Sequence, residues 1–330
     1  MTFPTLPSRL IVAKTPLRIP LAGGLSDLKE YVDRYGGVTI SSTIDKYAYV
    51  VLKPSYNGLF ELHYQNVREQ LSDARRIQHD LIRESLLLTG LQDTPLHVSI
   101  MVDLAGESGL GTSGAITVSL LQAMYTFKGE QPSSEALYQA AAYIEVDRLQ
   151  GASGYHDPTI CALGGLKRID YQPEAIHARE LDITAATRQA FADSLLFFYS
   201  GRHAKSKPSL DLLSSHMDEA YPLLHAIKAL ALELEQAFSQ GDLQRIAEII
   251  AEQQRLKQQL PGRFEDAYVT DMVARVRALG AYAQLPGGKI SAFILVCCPD
   301  GQHAAVRDAL ADLQEVPLAL EPQGSRVSLL

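Results

Sequence analysis

The chain has 330 residues and a formal net charge of −8, with 46% hydrophobic and 21% charged residues. That length favours one large or two medium domains around a full apolar core, and the composition excludes a disordered or collagen-like chain. The acidic balance argues against binding of nucleic acid or an anionic membrane; a small phosphorylated ligand stays open, because a few Arg, Lys and backbone N–H groups suffice to hold one.

Cys161, Cys297 and Cys298 form neither a disulfide framework nor a zinc pattern, and the adjacent pair reads as buried thiols in a strand. The apolar runs are short, like that at 292–298, against the roughly 20 residues a spanning helix needs. The polar, Pro-containing start lacks the apolar segment of a secretory leader, so a cytoplasmic location is expected.

In chain order, residues 10–13 read as a short strand, 18–27 as a Gly-containing loop and 28–35 as a short helix stopped by Gly36-Gly37. Residues 38–44 and 47–52 are β-branched and aromatic and read as two strands, with a further strand at 60–63. A helix is expected over 74–88, a strand over 96–102, an apolar helix over 115–127 and another helix over 134–150. A short helix at 155–163 ends at Gly164-Gly165. The polar stretch 170–192 suggests a boundary between domains at 1–190 and 191–330. Beyond it come a strand at 194–199, helices over 209–238, 243–258 and 265–279, a strand at 290–298 and a helix at 303–313. Strands followed by helices in each half suggest an α+β fold with two lobes.

The strongest chemical signal is the loop Gly106-Glu107-Ser108-Gly109-Leu110-Gly111-Thr112-Ser113-Gly114 between a strand and a helix. Its glycines let successive backbone N–H groups turn inward as an anion nest, and the helix behind it adds its N-terminal dipole. It does not match the P-loop or the dinucleotide fingerprint. Asp27 reads either as a helix cap or as an acceptor for ligand hydroxyls beside Gly23 and Gly24, and Asp157 before Pro158 reads equally as a cap. Arg202, His203 and Lys205, with Lys207 nearby, read either as a solvated basic loop or as contacts to a ligand phosphate.

Gly109 to Ala115 resembles the Gly-Leu-Gly-Ser-Ser-Ser-Ala loop of the GHMP kinases, and Arg18-Ile19 to Asp27-Leu28 is similar to the Arg-Ile-x-x-x-Gly-Gly-x-x-Asp-Leu motif of its heptose 7-phosphate kinase and fucokinase-like subgroup. Asp45-Lys46-Tyr47 and Tyr199-Ser200-Gly201 fit the same subgroup, and Gly287-Gly288 stands where the family's third, glycine-richer motif belongs. The resemblance implies a ribosomal S5-like N-terminal lobe and a ferredoxin-like C-terminal lobe. It implies ATP held by the loop from Gly106 to Gly114, Mg2+ on Ser113 and Glu145, and Asp157 with Arg18 at the reacting groups. It further implies an acceptor, a sugar or sugar phosphate, met by Arg18, Gly23, Gly24, Asp27, Asp157, Arg202, Lys205, Gly287 and Gly288. The activity implied is kinase action on a heptose 7-phosphate or related sugar phosphate, with a homodimer compatible. Alternatives are another sugar, fucose-like or an octose phosphate, or a non-catalytic sensor.

Overall fold

A computed structural model describes residues 10–104, 108–150, 153–202, 206–262, 264, 266–288 and 290–330. Among the described residues an eight-stranded sheet carries the first half of the chain and a four-stranded sheet the second. The larger sheet is built on β1 (Ile11–Ala22), which is followed by α1 (Lys29–Tyr35) and then by the 18-residue β2 (Gly37–Pro54). The two strands pair antiparallel along nearly their whole length, with register shifts between Pro16 and Arg18 and between Pro20 and Ala22.

The sequence suggested a strand of four residues there and a loop from Arg18. The strand instead runs on through both prolines. β12 (Arg326–Leu329) pairs with β1 only over Ile11 to Lys14, so beyond that point one edge of β1 needs no ladder N–H and tolerates proline.

Next in the chain are the hairpin β3 (Phe60–Tyr64) and β4 (Val67–Leu71), α2 (Asp80–Thr89) and β5 (Leu96–Val102). The helix expected from residue 74 starts at Asp80, with a 3-10 turn at Ala74–Arg76 ahead of it. α3 (Thr112–Phe127) and α4 (Ser134–Ala142) follow, and α4 continues as a π-helical turn, Tyr143–Arg148. α3 packs on the sheet through Leu120, Ala123 and Met124, beside Ile82 and Leu86 of α2.

After α5 (His156–Leu163), the stretch suspected of being a boundary forms β6 (Leu166–Gln172), β7 (Ala175–Glu180) and α6 (Ala185–Asp193). β7 pairs with β6 and lies at the sheet's edge, which suits its polar composition.

The smaller sheet has the order β11 (Gln314–Glu315), β8 (Leu195–Tyr199), β10 (Phe293–Cys297) and β9 (Tyr282–Gln284). The long helical span expected over 209–238 divides into α7 (Ser206–Ser215) and α8 (Met217–Gln240), with His216 outside helical geometry. α9 (Leu243–Lys257) lies antiparallel to α8 after a turn at Gly241 and Asp242, whose side chain caps it. α10 (Ala267–Arg277) and α11 (His303–Ala309) back the small sheet through Val269, Met272, Val276 and Val306.

One apolar core joins the halves. Leu17, Ile19 and Ile40 of the large sheet share it with Leu224, Ile227 and Ala231 of α8 and Ile246 and Ile250 of α9. This contact sets β1, α3 and α5 opposite α7, α9 and the turn before β10. No helix among the described residues is long and apolar enough to cross a membrane.

Candidate active site

A cleft of about 450 Å³ opens between these walls. On one side the chain enters α3 through Gly109 and Gly111, both at positive φ. Gly111 is the N-cap residue of α3 and brings no capping side chain, so the first N–H groups of α3 are left for a ligand. The Ser108 and Thr112 hydroxyls are 3.1 Å apart, and both residues line the cleft with Ser113.

β1 delivers Arg18, only 5% exposed, to the end of this loop. Its Nε and Nη2 donate to Asp157 Oδ1 at 2.9 and 2.7 Å, and Nη1 donates to the Gly109 carbonyl at 2.5 Å. One guanidinium thus links the loop to α5, a geometry that its planar array of donors suits. Asp157 is not a helix cap: Tyr155 holds that position, and the Asp157 carboxylate faces Arg18 from the first turn of α5.

Asp27 is not a cap either, since α1 is entered at Leu28. Its Oδ1 accepts from the Leu25 N–H and its Oδ2 from the His156 N–H, both at 3.1 Å. Burial, reinforced by the charge of Asp157, pushes its carboxyl up to about 6. Residue 154 must be glycine for this contact: a Cβ there would stand 1.9 Å from Asp27 Oδ2.

Glu145 sits on the π turn, where the extra residue per turn changes the face a side chain presents. It is buried, and its Oε1 has no hydrogen-bond partner. Burial raises its carboxyl to about 7, against the opposing pull of the Ser113 and Thr117 hydroxyls. An orphaned carboxylate oxygen beside a serine hydroxyl fits a hard divalent cation. His156 is also buried, and burial and Arg18 drive its imidazole down to about 3, so it is neutral.

The facing wall consists of Lys207 and Leu210 from α7, Gln253 and Lys257 from α9, and Gln284, Leu285, Gly287 and Gly288. Gly287 packs directly on Gly109: a Cβ on Gly287 would lie 2.8 Å from the Gly109 carbonyl oxygen. Lys257 Nζ donates to the carbonyls of Leu285 and Gly287 at 2.6 and 3.1 Å.

Of the residues expected from sequence, the cleft gathers Arg18, Gly24, Asp27, Ser108, Gly109, Gly111, Thr112, Ser113, Asp157, Gly287 and Gly288. Leu110 is core, and Gly114 lies against the backbone of Asp157. Gly23 is outside the lining; its N–H donates to Gln253 Oε1, and a Cβ on it would strike the Val38 carbonyl. Arg202 also lies outside, half exposed, paired with Asp266 at 3.1 Å and stacked over Tyr268. Gly106 and Lys205 fall outside the described residues. Gln253, Lys257 and Gln284 were not expected; the signal available was a run of polar residues, Gln253, Gln254 and Lys257, in a helix that is otherwise amphipathic.

Residues 76–165 match the model of the GHMP kinases N terminal domain, which spans α2, the loop, Glu145 and Asp157. This stretch of the chain is similar to the N-terminal domain of the GHMP kinases. The relatives that the chain matches are named kinases, consistent with a phosphotransferase acting on an alcohol group. Among its named relatives, the D-glycero-alpha-D-manno-heptose 7-phosphate kinase of Campylobacter jejuni is 24% identical over 76% of this chain and 77% of its own. In fold, it is similar to a D-glycero-D-manno-heptose 1-phosphate kinase from Bacteroides thetaiotaomicron, with a TM-score of 0.79, 21% identity and coverage of 96% and 98% of the two chains. A Streptococcus pneumoniae phosphomevalonate kinase in complex with phosphomevalonate and AMPPNP superposes with a TM-score of 0.75 at 15% identity, covering 94% of this chain and 99% of that one.

Proposed function

We propose that this chain is a GHMP kinase that transfers the γ-phosphoryl group of ATP, with Mg2+, to a hydroxyl, the anomeric one, of a heptose 7-phosphate or related long-chain sugar phosphate. The observation that carries this reading is the Arg18 bridge, which holds Asp157 beside both the phosphate loop and the wall bearing Gly24 and Asp27. The similarity to a heptose 7-phosphate kinase supports the choice of acceptor.

In this mechanism the N–H groups at the start of α3 and the Thr112 and Ser113 hydroxyls bind the ATP phosphates. Ser113 and Glu145 would hold Mg2+, which when bound neutralises phosphate charge. Asp27 and the backbone at Gly24 orient the acceptor. Asp157 takes the proton from its attacking hydroxyl, and Arg18 holds that carboxylate in place. Positioning of this kind accounts for most of the acceleration in phosphoryl transfer. We further read residues 1–190 and 191–330 as the two lobes, with β12 returning from the second to close the first sheet.

An ADP-release assay with ATP, Mg2+ and a panel of C6 to C8 sugars and their phosphates tests the reading. Stimulation by a heptose 7-phosphate that is lost in Asp157→Ala is expected. Turnover of galactose or mevalonate, with none of heptose 7-phosphate, would overturn it.

A further inference from the structure

The polar face of α9 is buried against the cleft wall. Gln253 and Lys257 are one helical turn apart, 5% and 3% exposed, and both line the cleft. Buried amides and ammonium groups are costly unless they meet partners. The orientation of the Gln253 amide is fixed, because its Oε1 accepts the Gly23 N–H at 3.0 Å and an N–H must face oxygen. Its NH2 group is therefore turned the other way, with Nε2 3.8 Å from where a Cβ on Gly24 would stand. The carbonyls of Leu285 and Gly287 anchor the Lys257 ammonium in the same wall. Lys207, which reaches Asp211 at 3.0 Å, adds a second cation at the cleft's rim.

An amide NH2 and two ammonium groups offer donors only. A ligand lying against them must bring acceptors, and the two charges favour an anion. The same stretch of wall touches the acceptor side: a Cβ on Gly288 would lie 3.1 Å from both Leu210 of α7 and Leu25, which lies between Gly24 and Asp27. We propose that Gln253 and Lys207, backed by the charge of Lys257, form a subsite for a phosphate ester carried by the acceptor at a position other than the reacting hydroxyl. This deepens the kinase reading and rests on its assignment of the acceptor wall.

The test is calorimetric titration of heptose 7-phosphate and of free heptose, without nucleotide, into the wild type, Gln253→Glu and Lys207→Glu. Glu at 253 keeps an oxygen for the Gly23 N–H, and Lys207 is exposed, so both variants are expected to fold. The wild type should bind the phosphorylated sugar about tenfold or more tightly than the free one. Each variant should lose most of that gain, with AMPPNP affinity unchanged. An equal affinity of the wild type for both sugars, or a gain that survives both substitutions, overturns the subsite. A loss of AMPPNP affinity instead assigns these donors to the nucleotide and overturns it too. Turnover of free and phosphorylated heptose without preference leaves the kinase reading standing and removes the subsite. Phosphate-dependent binding without any turnover does the reverse.

Discussion

Arg18 and Asp157 are 139 residues apart in the chain, yet Nε and Nη2 of the one converge at 2.9 and 2.7 Å on a single oxygen of the other. The third nitrogen of the guanidinium fixes the glycine loop through the Gly109 carbonyl. The residue therefore joins the glycine loop before α3 to α5, and lysine cannot replace it, having one nitrogen in place of three.

Arg18→Met is expected to lower kcat by about two to three orders of magnitude, because Asp157 loses both its orientation and the cation beside it. It should also destabilise the protein by about 2 kcal/mol, since it removes the charged hydrogen bonds that Arg18 donates to Asp157 and to the Gly109 carbonyl. Arg18→Lys should restore more of the stability than of the rate. Steady-state kinetics with urea unfolding measures both.

Gly154→Ala forces Asp27 aside, since the added Cβ would overlap Oδ2. The expected result is a rise of about tenfold or more in KM for the acceptor, with KM for ATP nearly unchanged. Equal effects on both substrates would place the damage in the fold rather than at Asp27.

Asp27 also sets a pH dependence. Its carboxyl is raised from 3.8 to about 6 by burial and by the charge of Asp157. Below that pH it is protonated and one of its oxygens becomes a donor; above it, both accept. kcat/KM for the acceptor is therefore expected to rise as pH passes through about 6, and Asp27→Asn should flatten this limb. For stability the sign is opposite: between 3.8 and about 6 the folded state holds a proton the unfolded chain has released, so this group's contribution falls as pH rises across that window.

Glu145→Gln keeps the shape of the side chain and removes its charge. At saturating ATP and acceptor, kcat is expected to fall by about a hundredfold, and the Mg2+ concentration for half-maximal rate to rise about tenfold or more. Titration of Mn2+ by electron paramagnetic resonance in the presence of AMPPNP gives the same comparison without turnover.

The parts of this site that were legible in sequence are those whose chemistry is local. Gly109, Gly111, Thr112 and Ser113 announce an anion nest because the turn, the hydroxyls and the helix start lie within a few residues of one another. Arg18 and Asp27, singled out in the sequence, line the same cleft, although the strand between Pro16 and Ala22 was not read, because proline in a strand depends on which edge is paired. The π turn at Tyr143–Arg148 was read as plain helix, since one extra residue in a turn leaves almost no trace in an apolar period. β7 was missed because an edge strand with polar residues on both faces lacks the alternation that marks a half-buried strand. Gln253 and Lys257 were passed over because a polar residue on a helix usually faces water; only the packing of α9 against β1 and the Gly287 turn shows that these do not.

The central claim is transfer of phosphate to the acceptor, with Asp157 taking the proton, and 31P NMR of the complete reaction tests it most directly. With heptose 7-phosphate, ATP and Mg2+, the wild type is predicted to give a second sugar-phosphate resonance in step with ADP, and Asp157→Asn to give neither. ADP accompanied only by inorganic phosphate, or an undiminished second resonance in Asp157→Asn, would contradict the account.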